Sequence, residues 1–153
     1  MEKKEEIAKK IRSWDTERWK TDMEGKESLI IYRSWKKEVK EEQIYDNRYS
    51  SVLLLKARTD TLPLNYKNRH TGGDIKCIPC GASKEDINHF ILECPEYKDI
   101  RPEIVELQQP YEEDGRRVIG KFLFDETNIE KKKEILQKLW RKRQKKIKVL
   151  NGQ

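Results

Sequence analysis

The sequence predicts a mainly α-helical fold, a small helical domain. Two observations predict it: apolar residues recur at helical spacings of three, four and seven in several segments, and no strong alternating strand pattern appears outside residues 77–94. A third observation predicts a small hydrophobic core: charged residues make up 41% of the 153 residues, and hydrophobic residues make up only 35%. The apolar residues are nevertheless clustered and include four Trp, six Tyr and three Phe, which argues against a disordered chain.

The N-terminal segment, residues 1–49, predicts two helices. A helix over 5–23 carries Ile7, Ile11 and Trp14 on one stripe, and Gly25 ends it. A second helix follows over 28–40. We expect the aromatic residues at helical spacings to pack in the core rather than to form a base-stacking platform: Trp14, Trp19, Tyr32 and Trp35.

The middle segment, residues 50–101, opens on the most apolar run, "SVLLLKARTD". Ser50 or Ser51 is predicted as its N-cap, and the run favours a helix that begins buried and ends exposed, with a strand as the alternative. The stretch "TLPLNYKNRHTGGD" is predicted to be a loop, because Pro63, Gly72 and Gly73 interrupt it.

The stretch "CIPCGASKEDINHFILEC" contains all three cysteines of the chain and one of its two histidines, in the spacing C-x2-C-x8-H-x4-C. A two-residue gap lets both sulfurs of Cys77 and Cys80 point to one centre. Ser83 and Asp86 predict a helix start, so that a helix from residue 84 carries His89 inward. Pro95 disfavours the α conformation at Cys94, so this helix should end near residue 93 and return Cys94 to the same centre.

Three thiolates and one imidazole form the closed tetrahedral shell of a structural zinc site. The complete prediction is therefore a small helical domain organised around one CCHC structural zinc site with a short knuckle or hairpin. The alternatives are three buried thiols beside an unrelated histidine, a redox pair of the thioredoxin type, which lacks its βαβ context, and a catalytic Cys–His pair. A closed shell leaves no position for an activated water, so the site is predicted to be non-catalytic.

The C-terminal segment, residues 102–153, predicts helices over 103–109 and 116–124, and a long basic helix over 128–150 capped by Thr127 or Asn128. Residues 131–148 hold ten basic side chains and one acid, Glu134, and so carry +9. Such a local excess of positive charge predicts contact with nucleic-acid phosphates. A solvated basic helix face or a nuclear localisation signal would have the same sequence pattern. The predicted contacts are Lys138, Arg141, Lys142, Arg143, Lys145 and Lys146, with Arg58, Lys67 and Arg69 from the middle segment.

Two residues, Arg58 from this list and Trp140 of the basic helix, each allow two interpretations. Trp140 lies among the basic residues and would either stack on a base or anchor the helix to the core. Arg58 would either contact phosphate or be a buried structural arginine, and the two interpretations are equally weighted.

The residues around the cysteines resemble the C-terminal segment of reverse transcriptases from non-LTR retrotransposons. In that family an "L-x-R-T-x-x-L-x-L-N" stretch precedes a "C-x-x-C-G" knuckle, and "E-H-F-L-L-x-C-P-x-Y-x-x-x-R" follows. The resemblance covers roughly residues 30–101, and Asn88 stands where the family usually has an acid. The matching positions are Leu55, Arg58, Thr59, Leu62, Leu64, Asn65, Cys77, Cys80, Gly81, His89, Phe90, Cys94, Pro95, Tyr97 and Arg101.

The resemblance implies a non-catalytic module that grips template RNA or target DNA beside a polymerase core. The chain has no "Y-x-D-D"-like motif, so we expect a detached module and not an enzyme. The expected partners are RNA, DNA or both, with a protein-interaction module without nucleic-acid binding as the alternative. No small-molecule substrate is expected. No membrane is expected either, because no apolar run approaches the length of about 20 residues that spans a bilayer. Without a secretory signal and with an odd number of cysteines, the chain is expected to be intracellular, and its basic helix favours the nucleus.

Overall fold

The structure, a computed structural model, describes residues 2–107 and 115–152. The described residues form helices and turns without a strand, which confirms the mainly α prediction. None of the described helices combines the length and the apolar character needed to cross a membrane. The α-helices are α1 Glu2–Met23, α2 Ile30–Trp35, α3 Tyr49–Arg58, α4 Arg101–Leu107, α5 Gly115–Phe124 and α6 Ile129–Leu150. Shorter 3₁₀ turns occur at Glu27–Leu29, Asn65–His70 and Pro95–Tyr97, and one π-helical turn at His89–Glu93.

The core lies where α3 packs against α5 and α6, with α4 beside α6. Leu54, Ile119 and Leu139 from these helices are fully buried. Phe90 joins the cysteine stretch to this core through edge-to-face contacts with Tyr97 and Trp140, with ring centroids 5.6 and 6.0 Å apart. Trp140 therefore anchors α6, so the structure favours that interpretation over free base stacking. The core draws on both the middle and the C-terminal sequence segments.

Several predicted helix ends differ from the structure. The helix predicted over 28–40 ends at Trp35, because Lys36 is extended and the charged stretch after it offers no apolar face. The helix predicted to be capped by Ser50 or Ser51 begins earlier, at Tyr49. The predicted helix over 103–109 begins at Arg101, and its predicted end lies outside the described residues. The long C-terminal helix begins after Asn128, one of its two predicted caps.

Helix α1 projects from the domain over most of its length. Ile7, Ile11 and Trp14 are 58%, 52% and 67% exposed, so the prediction that Trp14 is a core residue is wrong. Only the C-terminal end of α1 packs, through buried Met23 and through Trp19, whose ring meets Tyr32 edge-on. The helical spacing predicted that these three residues share one stripe, but it could not show whether other described residues pack against that stripe.

Helix α5 contacts Trp35 at Gly120. Trp35 stacks on Phe124 but remains 40% exposed, at the edge of the core rather than inside it. A Cβ added at Gly120 would lie 1.9 Å from Trp35 Nε1, which the indole can avoid only by leaving its stacked position.

We therefore expect Gly120→Ala to destabilise the domain by about 1–3 kcal/mol, the usual cost of overpacking. Helix propensity alone would favour alanine by about 0.5–1 kcal/mol. A decrease in the free energy of unfolding therefore indicates overpacking against Trp35, whereas an increase indicates that helix propensity dominates. Urea denaturation followed by tryptophan fluorescence measures it. In a Trp35→Ala background the same substitution should become neutral or stabilising, and a loss of stability there would contradict the packing shown.

Candidate metal centre and basic surface

Four side chains meet at one point beside the core. The ligand atoms of Cys77, Cys80, His89 and Cys94 all lie within 4.8 Å of one another. Cys77 Sγ is 3.8 Å from Cys94 Sγ, and Cys80 Sγ is 3.3 Å from His89 Nε2. Sulfurs bound tetrahedrally at about 2.3 Å from a zinc ion lie roughly 3.8 Å apart. The structure thus brings together the four residues predicted from their spacing, and they could hold one metal ion.

The first two cysteines lie on a tight knuckle. The amide of Gly81 donates to Cys77 O at 2.7 Å, and the amide of Cys77 donates to Ala82 O at 2.9 Å. Gly81 has a φ of +78°, a conformation that favours glycine. The amide of Ala82 donates to Cys80 Sγ at 3.4 Å, so the backbone of the knuckle supplies a hydrogen-bond donor to this sulfur.

The second pair of ligands is placed by a π-helical turn. The amide of Cys94 donates to His89 O at 2.7 Å, a bond between residues five apart. Such a bond widens the turn and brings Cys94 to the face of His89, whereas an α-helix of 3.6 residues per turn would separate the two by about 140°. The helix ends at residue 93 as predicted, but its form was not predicted.

The predicted start of this helix is corrected. Ser83 does not cap it, and residues 83–86 are not helical. Asp86 Oδ1 instead accepts a hydrogen bond from the amide of His89 at 2.8 Å. The later start leaves Glu85 outside the helix, and its side chain enters the core.

A carboxylate faces the other side of the histidine ring. Glu93 Oε2 lies 3.7 Å from His89 Nδ1, and Asn88 Nδ2 donates to Glu93 Oε1 at 2.9 Å. At 3.7 Å this carboxylate is near the ring nitrogen but too far away for a hydrogen bond. Asn88, which departs from the resembled family, thus supports Glu93 without approaching the ligand positions.

A buried ion pair connects this centre to α6. Arg143 donates from Nε to Glu85 Oε2 at 2.9 Å and from Nη2 to Glu85 Oε1 at 2.7 Å. The amide of Asn65 also donates to Glu85 Oε1 at 2.8 Å, and Cys77 Sγ lies 3.8 Å from Glu85 Oε2. Sequence reasoning missed Glu85, because its partner lies 58 residues away and no local pattern distinguishes it from surface acids.

Burial disfavours the charged thiolate form of two of the cysteines. It raises the pKa of Cys77 well above its ordinary value and raises the pKa of Cys94 to about 11. Metal binding requires thiolates, so a cation that binds here must displace protons from both groups. Once bound, it would offset the charge of the thiolates beside the buried carboxylate of Glu85.

Two predicted nucleic-acid contacts lie in the interior, and those predictions are corrected. Arg143 is held by Glu85. Arg58 is fully buried and donates from Nε to Leu123 O at 2.6 Å and from Nη1 to Tyr45 Oη at 2.9 Å. Neither guanidinium can reach a phosphate in this structure, and Arg58 is the structural arginine of the alternative interpretation.

Other basic side chains are paired with acids. Lys138 contacts Glu103 at 2.9 Å, Lys142 contacts Asp99 at 2.5 Å and Lys146 contacts Glu96 at 2.7 Å. These pairs line the contact between α6 and residues 95–107, and each exposed pair contributes little stability.

The middle-segment predictions lie elsewhere. The guanidinium of Arg69 pairs with Glu27 at 3.2 Å and lies over the ring of Tyr66. The charge of Arg69 therefore already has partners within the domain. Lys67 is half-buried, and desolvation lowers its pKa. Neither residue lines the α6 groove described next, so the structure does not bring these two predicted contacts together with those on α6.

Three cations of α6 remain open to solvent: Arg141, Lys145 and Lys148 are exposed and have no acidic partner in the described part of the chain. They line a groove of about 800 Å³ with Tyr49 and Trp140. The charge of +9 counted from the sequence therefore overstates what α6 presents, since Lys132, Lys133 and Arg143 are buried and four more cations are paired.

Comparisons with protein-family models, with curated proteins and with solved structures find no match to this chain. The interpretation of the site therefore rests on its four ligand atoms, their spacing and the charges around them.

Proposed function

We propose that this chain is a non-catalytic nucleic-acid-binding module stabilised by one structural Zn²⁺, derived from or related to the C-terminal segment of a non-LTR retrotransposon reverse transcriptase. Cys77, Cys80, His89 and Cys94 hold the ion. Residues of α6 contact the phosphates of RNA or DNA, and the module acts inside the cell, in the nucleus.

The donor set supports zinc over other metals. Thiolates are soft ligands that select zinc, copper(I) or iron–sulfur clusters, whereas an imidazole nitrogen beside three sulfurs in a tetrahedral arrangement is typical of zinc. Four protein ligands close the shell and leave no position for a reactive water, so the ion has a structural role. The short S–S and S–N distances fit one ion rather than a cluster.

The observation that carries the nucleic-acid proposal is the open cationic side of the α6 groove. Arg141, Lys145 and Lys148 lie on one helix face, uncompensated by acids in the described residues, beside the aromatic ring of Tyr49. Phosphate contacts by such side chains dominate nucleic-acid affinity and make it depend on salt.

Binding measured at several salt concentrations tests this proposal. The chain should bind RNA or DNA oligonucleotides at low salt, with an affinity that falls steeply as salt rises. Each contact with a single-strand phosphate contributes about 0.7 to the magnitude of the slope of log K against log salt. Replacing Arg141, Lys145 and Lys148 together by Gln should therefore make this slope shallower by about 2.

The matched control replaces Lys131, Lys138 and Lys146 by Gln. It removes the same formal charge from the same helix, but from side chains paired with acids, and should change the slope little. Wild-type protein that binds neither RNA nor DNA at low salt would refute the proposal.

A second candidate function, a protein-interaction module that retains the zinc fold, is favoured by the exposed stripe of α1. Ile7, Ile11 and Trp14 present apolar surface that no described residue covers. A pull-down from the native source after nuclease treatment discriminates the two. A protein retained by wild type but lost with Ile7→Ser and Trp14→Ser would favour this candidate, whereas recovery of RNA or DNA before nuclease treatment would favour the first.

A further inference from the structure

We infer that the groove between Tyr49 and α6 binds single-stranded nucleic acid, with the Tyr49 ring stacked on an unpaired base while Arg141, Lys145 and Lys148 contact the adjacent phosphates. This inference rests on the proposed function and adds the form of the ligand and the residue that receives its base.

Tyr49 is placed to present a ring to the groove. It is the first residue of α3, whose buried face carries Leu53 and Leu54. This packing fixes the helix, while Tyr49 itself stays 52% exposed. Trp140 also lines the groove, but it is 7% exposed and held by the edge of Phe90, so it forms a rigid apolar floor rather than a stacking face.

The charges of the groove favour an anionic strand. Arg141, Lys145 and Lys148 are spaced by four and three residues, so they share one face of α6 and extend over about 10 Å along its axis. Asp99 also lines the groove, but Lys142 engages it at 2.5 Å. The groove therefore presents three cations that no acid among its described lining residues neutralises.

An aromatic ring beside such a row of cations distinguishes a single strand from other anions. Proteins bind single strands with a positively charged groove along the backbone and with aromatic side chains that stack on successive bases. In a duplex the base faces are already stacked and cannot meet a side chain without being extruded. An acidic peptide would use the cations but gain nothing from stacking on Tyr49.

The test compares Tyr49→Ala and Tyr49→Phe with wild type on three probes of equal length: single-stranded oligo(dA), its duplex with oligo(dT), and an abasic strand with the same number of phosphates. We expect Tyr49→Ala to weaken binding of the single strand about 5- to 100-fold, the usual loss when one stacking residue is removed. The salt slope should not change, because no phosphate contact is lost. Tyr49→Phe, which keeps the ring, should restore tight binding.

The controls separate stacking from charge and from folding. On the abasic strand, wild type and Tyr49→Ala should bind equally. Val52→Ala, an exposed α3 substitution outside the groove, should match wild type on every probe. Circular dichroism and metal content check that the variants fold.

Three results would overturn the inference. The first is equal affinity of wild type and Tyr49→Ala for oligo(dA), and the second is tighter binding of the duplex than of the single strand. The third is a polyglutamate peptide, with the same number of charges as oligo(dA), that binds wild type as tightly as oligo(dA) does. Each of these leaves phosphate binding by the chain intact, whereas the absence of any binding at low salt overturns both this inference and the proposed function.

Discussion

Replacing Cys94 by Ser is expected to release the metal and unfold the domain. A hydroxyl is a poor zinc ligand, and Cys94 is completely buried where the π-helical turn meets Pro95. Structural zinc supplies about 10–16 kcal/mol in zinc-finger peptides at neutral pH. Natural domains retain a net stability of only about 5–15 kcal/mol. Circular dichroism should therefore show a large loss of helix, and metal analysis should show less than one equivalent of zinc.

The two histidines provide a matched pair of controls for this prediction. His89→Gln removes a ligand and should have the same effect as Cys94→Ser, whereas His70→Gln alters an exposed residue outside the cluster and should have none. Substitution of Co²⁺ gives a readout independent of folding, since thiolate-bound cobalt absorbs visible light. Equal metal binding by the His89→Gln and His70→Gln variants would contradict the assignment of the ligands.

Replacing Arg143 by Met is expected to destabilise the domain by about 3–5 kcal/mol, the usual cost of leaving one charge of a buried pair without its partner. The cost arises because the carboxyl group of Glu85 would be left in the core without its partner, close to the sulfur of Cys77. Changing Glu85 to Gln as well should recover much of the loss, since the neutral amide can still accept from the Asn65 amide. Chemical denaturation of the single and double variants measures this coupling.

Arg141→Met is the control for that experiment, because Arg141 is exposed on the same helix two residues earlier. Surface substitutions of this kind usually change stability by less than about 0.5 kcal/mol. If Arg143→Met costs no more than Arg141→Met, the buried pair does not connect α6 to the cysteine centre.

The fold class and the ligand cluster could be predicted because both depend on local patterns. Helical spacing of apolar residues predicted α1, α5 and α6 to within a few residues, and the apolar run after Ser51 favoured a helix over a strand at α3. The spacing of the cysteines and of His89 gave four atoms that the structure brings within 4.8 Å. Each of these predictions uses residues that are close together in the chain.

The arginines were harder to place, because burial depends on distant partners. Arg58 and Arg143 look alike in the sequence, in that each follows a helical apolar stripe among other basic residues. Only the tertiary packing shows that both enter the core: Leu123 O of α5 accepts a hydrogen bond from Arg58, and Glu85 of the cysteine stretch accepts hydrogen bonds from Arg143. The contact of α6 with α4 and with the residues just before α4 brings Glu96, Asp99 and Glu103 to the lysines of α6.

The π-helical turn and the exposure of Trp14 were also beyond local reasoning. An i to i+5 bond at Cys94 has no composition signal of its own, although this wider turn is what brings Cys94 to the face of His89. Trp14 lies on a stripe typical of a buried face, but the helix extends beyond the elements that could cover it.

The central claim is that one zinc ion at Cys77, Cys80, His89 and Cys94 holds this fold together. Metal analysis of protein purified without added zinc, combined with circular dichroism before and after a strong chelator, tests it most directly. The account predicts about one zinc per chain, loss of helical signal when the chelator removes it, and recovery when zinc is returned. A metal-free chain that keeps its full helical signal and cooperative unfolding would contradict the claim.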